Sequence, residues 1–157
     1  MKTECWAIGK TREQYLETGT ALYLKRLRRY LPFTLVVLPD IRGGGKLAAA
    51  DLKIKEGELV LGKLRTGDRL ILLDENGRHF GSEAFAHFLD RQLQGSHHRL
   101  IFLIGGAQGF SQALYERADE RLALSAMTFS HQMVRLFFLE QLYRAMTILR
   151  NEPYHNR

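Results

Sequence analysis

The sequence is poor in the residues that brace or export a chain. A single cysteine, Cys5, in 157 residues excludes an intramolecular disulfide and any cysteine-rich zinc site, and makes a reducing compartment, the cytoplasm, the expected location. Three prolines and no low-complexity tract exclude a fibrous or disordered chain. Long hydrophobic runs are missing too. Residues 1–9 form a short apolar run interrupted by Glu4, less than the roughly 7–15 apolar residues of a signal peptide. Residues 136–149 are broken by Glu140, Gln141 and Arg144 and fall short of the roughly 18 a membrane span requires. No membrane partner is expected.

Several site chemistries are absent as well. The six histidines show no H-E-x-x-H spacing, and the adjacent pair His97 and His98 cannot easily present both rings to one ion, so no metal is expected. There is no G-x-S-x-G elbow, and Cys5 falls inside a strand candidate, where a thiol is buried and inert. Lys46 is followed by Leu47 instead of a hydroxyl residue, and Asp40 stands where a P-loop needs its first glycine. Gly105, Gly106 and Gly109 form G-G-x-x-G, which is not the dinucleotide fingerprint.

What is present is one domain, residues 1–157, with 45% hydrophobic and 25% charged side chains. Short apolar runs alternate with helical ones, the mark of an α/β domain on a mostly parallel sheet flanked by helices. The pattern predicts strands at 5–8, 33–38, 69–73, 100–104 and 121–124, and helices at 12–30, 47–63, 82–94, 112–117 and 132–150. Thr11 with Gln14 reads as a capping box, and Ser111 and Ser130 as amino caps. The last helix has two apolar lines, Leu136, Leu139, Tyr143 and Met146, and Phe138, Leu142, Ala145 and Leu149. One sheet covers both poorly, so the helix is either wedged between core layers or, the favoured expectation, lies at a two-fold interface with a second copy.

The net charge is +6, and all the excess lies early: residues 1–66 hold 13 basic and 7 acidic side chains, residues 67–157 ten of each. Lys25, Arg26, Arg28 and Arg29 cluster at the end of the first helix, and Arg42 sits in the glycine-rich loop 40–46. Such a cluster tracks nucleic-acid phosphates or forms a solvated helix end, and the charge alone leaves both open. A basic RNA-binding factor without enzymatic activity is therefore one function class to carry forward.

In open α/β sheets, ligands sit at the carboxyl ends of strands. Three segments fall there: 73–77, 104–109 and 124–129. Together they predict a small-molecule pocket.

The motifs Leu-Ile-Gly-Gly-Ala-Gln-Gly at 103–109, Leu-Ser-Ala-Met-Thr-Phe-Ser-His-Gln-Met-Val-Arg at 124–135, Glu-Gln-Leu-Tyr-Arg-Ala at 140–145 and Pro-Tyr-His at 153–155 closely resemble the RlmH family of SPOUT-class RNA methyltransferases, from end to end. The resemblance implies S-adenosyl-L-methionine as cofactor, methylation of N(3) of a pseudouridine in large-subunit (23S) ribosomal RNA, a homodimer acting on rRNA or ribosomes, and a carboxyl-terminal trefoil knot. It places Leu73, Gly105, Gly106, Leu124, Ser125, Ala126, Met127, Thr128 and Phe129 around the cofactor. His131, Arg135, Tyr154 and His155 become candidate catalytic residues: His131 and the tail pair for orienting the base and removing its proton, Arg135 for holding a phosphate or carbonyl oxygen. Lys25, Arg26, Arg28, Arg29 and Arg42 become the RNA contacts. Two positions depart from the family pattern: Ser130, where relatives often have proline, and Asn156, often basic in relatives, with Arg157 following.

Overall fold

A computed structural model describes residues 1–156; Arg157 lies outside the described residues. In chain order the elements are β1 (Lys2–Ile8), α1 (Gln14–Leu27), β2 (Phe33–Leu38), a 3-10 turn (Gly44–Lys46), α2 (Ala49–Lys63), β3 (Asp68–His79), α3 (Ser82–Leu93), β4 (Arg99–Ile104), α4 (Gln112–Arg117), β5 (Glu120–Ala123) and α5 (His131–Leu149). The strands form one sheet in the order β2-β1-β4-β3-β5, every pair parallel. The α/β expectation is met.

Because side chains alternate across a strand, β1 to β4 each feed two cores. Cys5 and Ala7 of β1, Ile71 of β3 and Leu100, Phe102 and Ile104 of β4 pack under α1, α3 and α5. Trp6 and Ile8, Leu70 and Leu72, Ile101 and Leu103 face the other way, under Val60 of α2 and Leu114 of α4. Strands buried on both sides read as continuous apolar runs, which is why 100–104 and 69–73 stand out in the sequence.

Both apolar lines of α5 are covered within the chain, which corrects the interface expected from them. The helix is wedged between α1 and α3, so Phe138, Leu139, Leu142 and Ala145 are all buried. Leu142, at 2% exposure, belongs to this chain's own core.

Cap assignments divide. Ser111 and Ser130 accept hydrogen bonds from the Leu114 and Met133 amides at 3.3 and 3.1 Å, as expected of amino caps. Ser130 thus gives α5 a working cap. The Thr11 box does not form. α1 starts after Glu13, which makes no side-chain cap, because the Thr11 hydroxyl is taken by Arg135. β3 runs past the expected end at 73: its register with β5 shifts between Leu73 and Arg78, and this irregularity lifts 74–77 out at the sheet edge.

Candidate functional site

Parallel pairing brings Ile8, Leu38, Leu73, Ile104 and Ala123 to one edge of the sheet. There the predicted segments meet in a cleft of about 360 Å³, walled by residues from 73–76, 104–110 and 122–134. Leu73, Gly105, Gly106, Leu124, Ser125, Met127, Thr128 and Phe129 all line it, and His131 stands in its wall. Ala126, expected with them, does not.

The glycines are spatial requirements. A Cβ on Gly105 would sit 3.0 Å from the buried Phe110 ring, and one on Gly106 would meet the Glu56 carboxylate at 2.8 and 3.0 Å. Gly109, at φ +85°, closes the turn through its amide onto the Gly106 carbonyl at 3.1 Å. The turn therefore presents bare backbone to the cleft. Across from it, Asp74 lines the cleft with its Oδ2 buried, and its carboxylate accepts a hydrogen bond from the Tyr115 hydroxyl. A second cleft of about 320 Å³ shares the wall of Leu122, Leu124, Ser125 and Phe129, and adds Phe80, Phe85 and Phe137.

Electrostatics single out His131. Burial, together with the charges of Arg135 and Arg12, pushes its ring below the ordinary histidine value, with Asp40 opposing. A neutral imidazole at the cleft is a proton acceptor. Sequence reasoning missed Glu56, whose carboxyl packs behind Gly106 at 8% exposure; burial, and then the charge of Asp40, raises its pKa. Nothing in the spacing of α2 marks it. Cys5 is as inert as expected, its thiol pushed up to about 12 by burial.

Arg135 is corrected. It is 1% exposed, and its guanidinium donates to the Gly9 and Ile8 carbonyls at 2.7 and 2.8 Å and to Thr11 Oγ1 at 3.3 Å. It pins the end of β1 to α5 and has no face toward a substrate.

The tail is ordered but lies elsewhere. The Tyr154 ring packs edge-on to Tyr143 at 4.6 Å, and its hydroxyl lies 3.3 Å from that of Tyr23. Burial, and after it the Tyr23 bond, raises its pKa. His155 Nδ1 accepts from Arg144 at 3.0 Å, and its Nε2 lies 3.8 Å from Glu83. Tyr143 and Arg144 are more than three turns along α5 from His131, roughly 18 Å at 1.5 Å per residue. One chain does not bring the tail to the cleft.

The cations of α1 are also remote. Lys25, Arg28 and Arg29 are exposed, while Arg26 lies over the Tyr23 and Tyr143 rings at 5.2 and 5.4 Å. Arg28 Nε donates to the carbonyl of Phe33, at the amino end of β2, the sheet edge opposite the cleft. Arg42 is exposed in a loop ordered by turn bonds from Gly44, Lys46 and Leu47. Among the described residues no cluster of His, Cys, Asp or Glu could hold a metal ion, and no helix is long and apolar enough to cross a membrane.

An all-parallel sheet with a glycine-turned cleft at its carboxyl edge and a histidine in the cleft wall defines a class: open α/β proteins with a small-molecule pocket at the carboxyl ends of their strands. Likeness to known proteins narrows it. The family model described as "Predicted SPOUT methyltransferase" matches residues 1–155, and the chain belongs to that family. It is 50% identical over 150 residues, 96% of each chain, to a Christiangramia forsetii protein, and 50% identical over the full 157 residues to one from Flavobacterium johnsoniae. With a Parabacteroides distasonis protein it shares 49% over 99% of both chains. All three relatives are named "Ribosomal RNA large subunit methyltransferase H".

Proposed function

We propose that this protein is a cytoplasmic, single-domain enzyme that transfers a methyl group from S-adenosyl-L-methionine to N(3) of a pseudouridine in large-subunit ribosomal RNA. The observation that carries the reading is the cleft: about 360 Å³, at the low end of the roughly 300–1,000 Å³ of small-molecule sites, in a chain of the SPOUT methyltransferase family. The names of the relatives favour rRNA methylation over the non-enzymatic RNA-binding alternative.

The residues present fit the cofactor. Backbone at Gly105, Gly106 and 124–128, apart from the Gly106 carbonyl and the Met127 amide, which are already bonded, is suited to read an adenine edge, and Leu73, Met127 and Phe129 offer apolar cover. The Asp74 carboxylate in the cleft wall is a candidate acceptor for a ribose hydroxyl. When bound, the cofactor supplies an electrophilic methyl group. The chain's own work is to orient the acceptor nitrogen and take its proton, since an imide N–H flanked by two carbonyls must lose that proton during or before attack. His131, held neutral beside Arg135 and Arg12, accepts it. Proximity in the cleft supplies much of the acceleration.

The active unit is a homodimer. Met127 is 74% exposed and Phe129 and Phe137 each 37%, an apolar rim at the cleft that a second copy would cover. That copy would bring its own Tyr154 and His155, and its Lys25, Arg26, Arg28 and Arg29, toward a cleft they do not reach at home, while Arg42, in the loop that follows β2, stands on the cleft's own side of the sheet. The reading extends to the trefoil knot of the family. The test is incubation with radiolabelled S-adenosyl-L-methionine and ribosomes lacking the modification, alongside calorimetric titration with the cofactor. Label on the large-subunit RNA is expected. RNA binding with no cofactor affinity and no label would return the assignment to the non-enzymatic factor.

A further inference from the structure

The segment between β1 and α1 is fastened to the first turns of α5. Arg135 takes the carbonyls of Ile8 and Gly9 and the Thr11 hydroxyl. One turn earlier, Gln132 grips the main chain on both sides of Thr11: the Arg12 amide donates to its Oε1 at 3.0 Å, and its Nε2 donates to the Lys10 carbonyl at 3.2 Å. Every bond to Lys10 and Arg12 in this clasp uses their backbone. Their side chains are left exposed, and among the described residues neither forms an ion pair.

The clasp also fixes where these charges stand. Gln132 follows His131, which lines the cleft, so Lys10 and Arg12 are held within about one helical turn of the cleft wall. The charge of Arg12 reaches the His131 ring. The acidic neighbours are few: Glu13, exposed at the start of α1, and Asp40, whose carboxylate lies against Gly9. The larger cluster at Lys25–Arg29 lies at the opposite edge of the sheet, beyond the six residues of β2, roughly 20 Å of strand.

We propose that Lys10 and Arg12 bind the sugar-phosphate backbone of the RNA beside the target nucleotide, as a cationic rim of this chain's own cleft that the clasp holds rigid. The inference rests on the reading of the chain as an rRNA methyltransferase. Two cations with no carboxylate partner, braced at the mouth of a site whose substrate is a polyanion, match phosphates in charge and spacing freedom. Because the brace touches Lys10 and Arg12 only through their main chain, neutralising their side chains leaves the loop in place.

The test uses the full chain with Lys10→Gln, Arg12→Gln and the double variant, a fluorescein-labelled rRNA hairpin read by anisotropy over a salt series, and calorimetry with S-adenosyl-L-methionine. Removing one phosphate-binding cation should lower the slope of log affinity against log salt by roughly 0.7–0.9. The double variant should therefore have a slope shallower by about 1.4–1.8 and bind more than tenfold more weakly at low salt, with cofactor affinity unchanged. Wild-type slope and affinity in the double variant would overturn the proposal while leaving the enzymatic reading standing. Loss of RNA binding accompanied by dissociation of the protein in sedimentation would also overturn it, by assigning the rim to an interface between copies. Absence of methyl transfer by the wild type sinks the enzymatic reading itself, and this inference with it.

Discussion

Gly106→Ala probes the cofactor wall with one methyl group. The added Cβ would lie 2.8 Å from Glu56 Oε2, 3.0 Å from Oε1 and 3.2 Å from Cδ. Glu56 has little room to retreat at 8% exposure, so either the carboxylate or the 105–109 turn must move. Overpacking of this kind costs about 1–3 kcal/mol, a fall in melting temperature of roughly 2–12 °C for a chain of this size. If the turn moves, the same strain appears at the cleft, where about 1.4–2.8 kcal/mol weakens cofactor binding some 10–100-fold. Glu56→Ala removes the opposing atoms and also a buried oxygen with no partner, Oε1. In the double variant the methyl should fit, giving a favourable coupling of about 1–2 kcal/mol in both melting and cofactor calorimetry. Wild-type melting together with wild-type affinity in Gly106→Ala, or strictly additive effects in the double variant, would refute the assignment of the turn as a wall packed against Glu56.

His131→Gln should abolish methyl transfer while leaving cofactor affinity within about twofold, because it removes the proton acceptor and no part of the glycine wall. Since the ring titrates below its ordinary value, wild-type activity should rise with pH through a midpoint below 6.5 and stay flat through neutrality, and Arg12→Gln should move that midpoint up by removing a repelling charge. A single-turnover pH profile checks both. At the other sheet edge, Asp68 is an acid-stability device. Burial raises its pKa, but bonds from Arg99 at 2.6 and 2.9 Å and from the Arg65 amide at 2.7 Å, with the charges of Arg99 and Arg117, outweigh it and leave the carboxyl below the usual range. Its contribution is complete above the unfolded value of about 3.9 and is lost as pH falls through the lower folded value. Asp68→Asn should cost roughly 2–4 kcal/mol at pH 7 and flatten the loss of urea stability below pH 4; an unchanged acid limb would count against it.

The elements most readable in the sequence were those in which a single period dominates. β2 and α4 match their expected spans, and the cleft followed from three segments at strand ends, because in a parallel sheet strand direction alone puts those ends together. What escaped was anything settled by long-range burial. An arginine five residues into an amphipathic helix reads as an exposed cation, yet Arg135 is a core residue because three acceptors at the end of β1 meet it there. The two lines of α5 suggested a missing partner since nothing local says that α1 and α3 would close on it from both sides. Lys10 and Arg12 attracted no notice beside the denser Lys25–Arg29 run, as charge density along the chain does not report distance from the site. The tail pair was readable as chemistry but not as position.

The sheet order sets a schedule for synthesis. β1 sits between β2 and β4, pairing Lys2 with Arg99 and Ala7 with Ile104, and the clasp that seals its end reaches across 126 and 127 positions. At the roughly 5–20 residues per second of translation, the first strand waits about 6–25 s for Arg135 to be made. For most of that interval residues 5–8 lack their β4 neighbour, and throughout it they lack the closing helix. Such non-local pairing belongs with slow, millisecond-to-second folding, so a nascent copy spends far longer with an open apolar strand edge than the finished chain needs to close it, and holdase chaperones would meet this protein at its first strand.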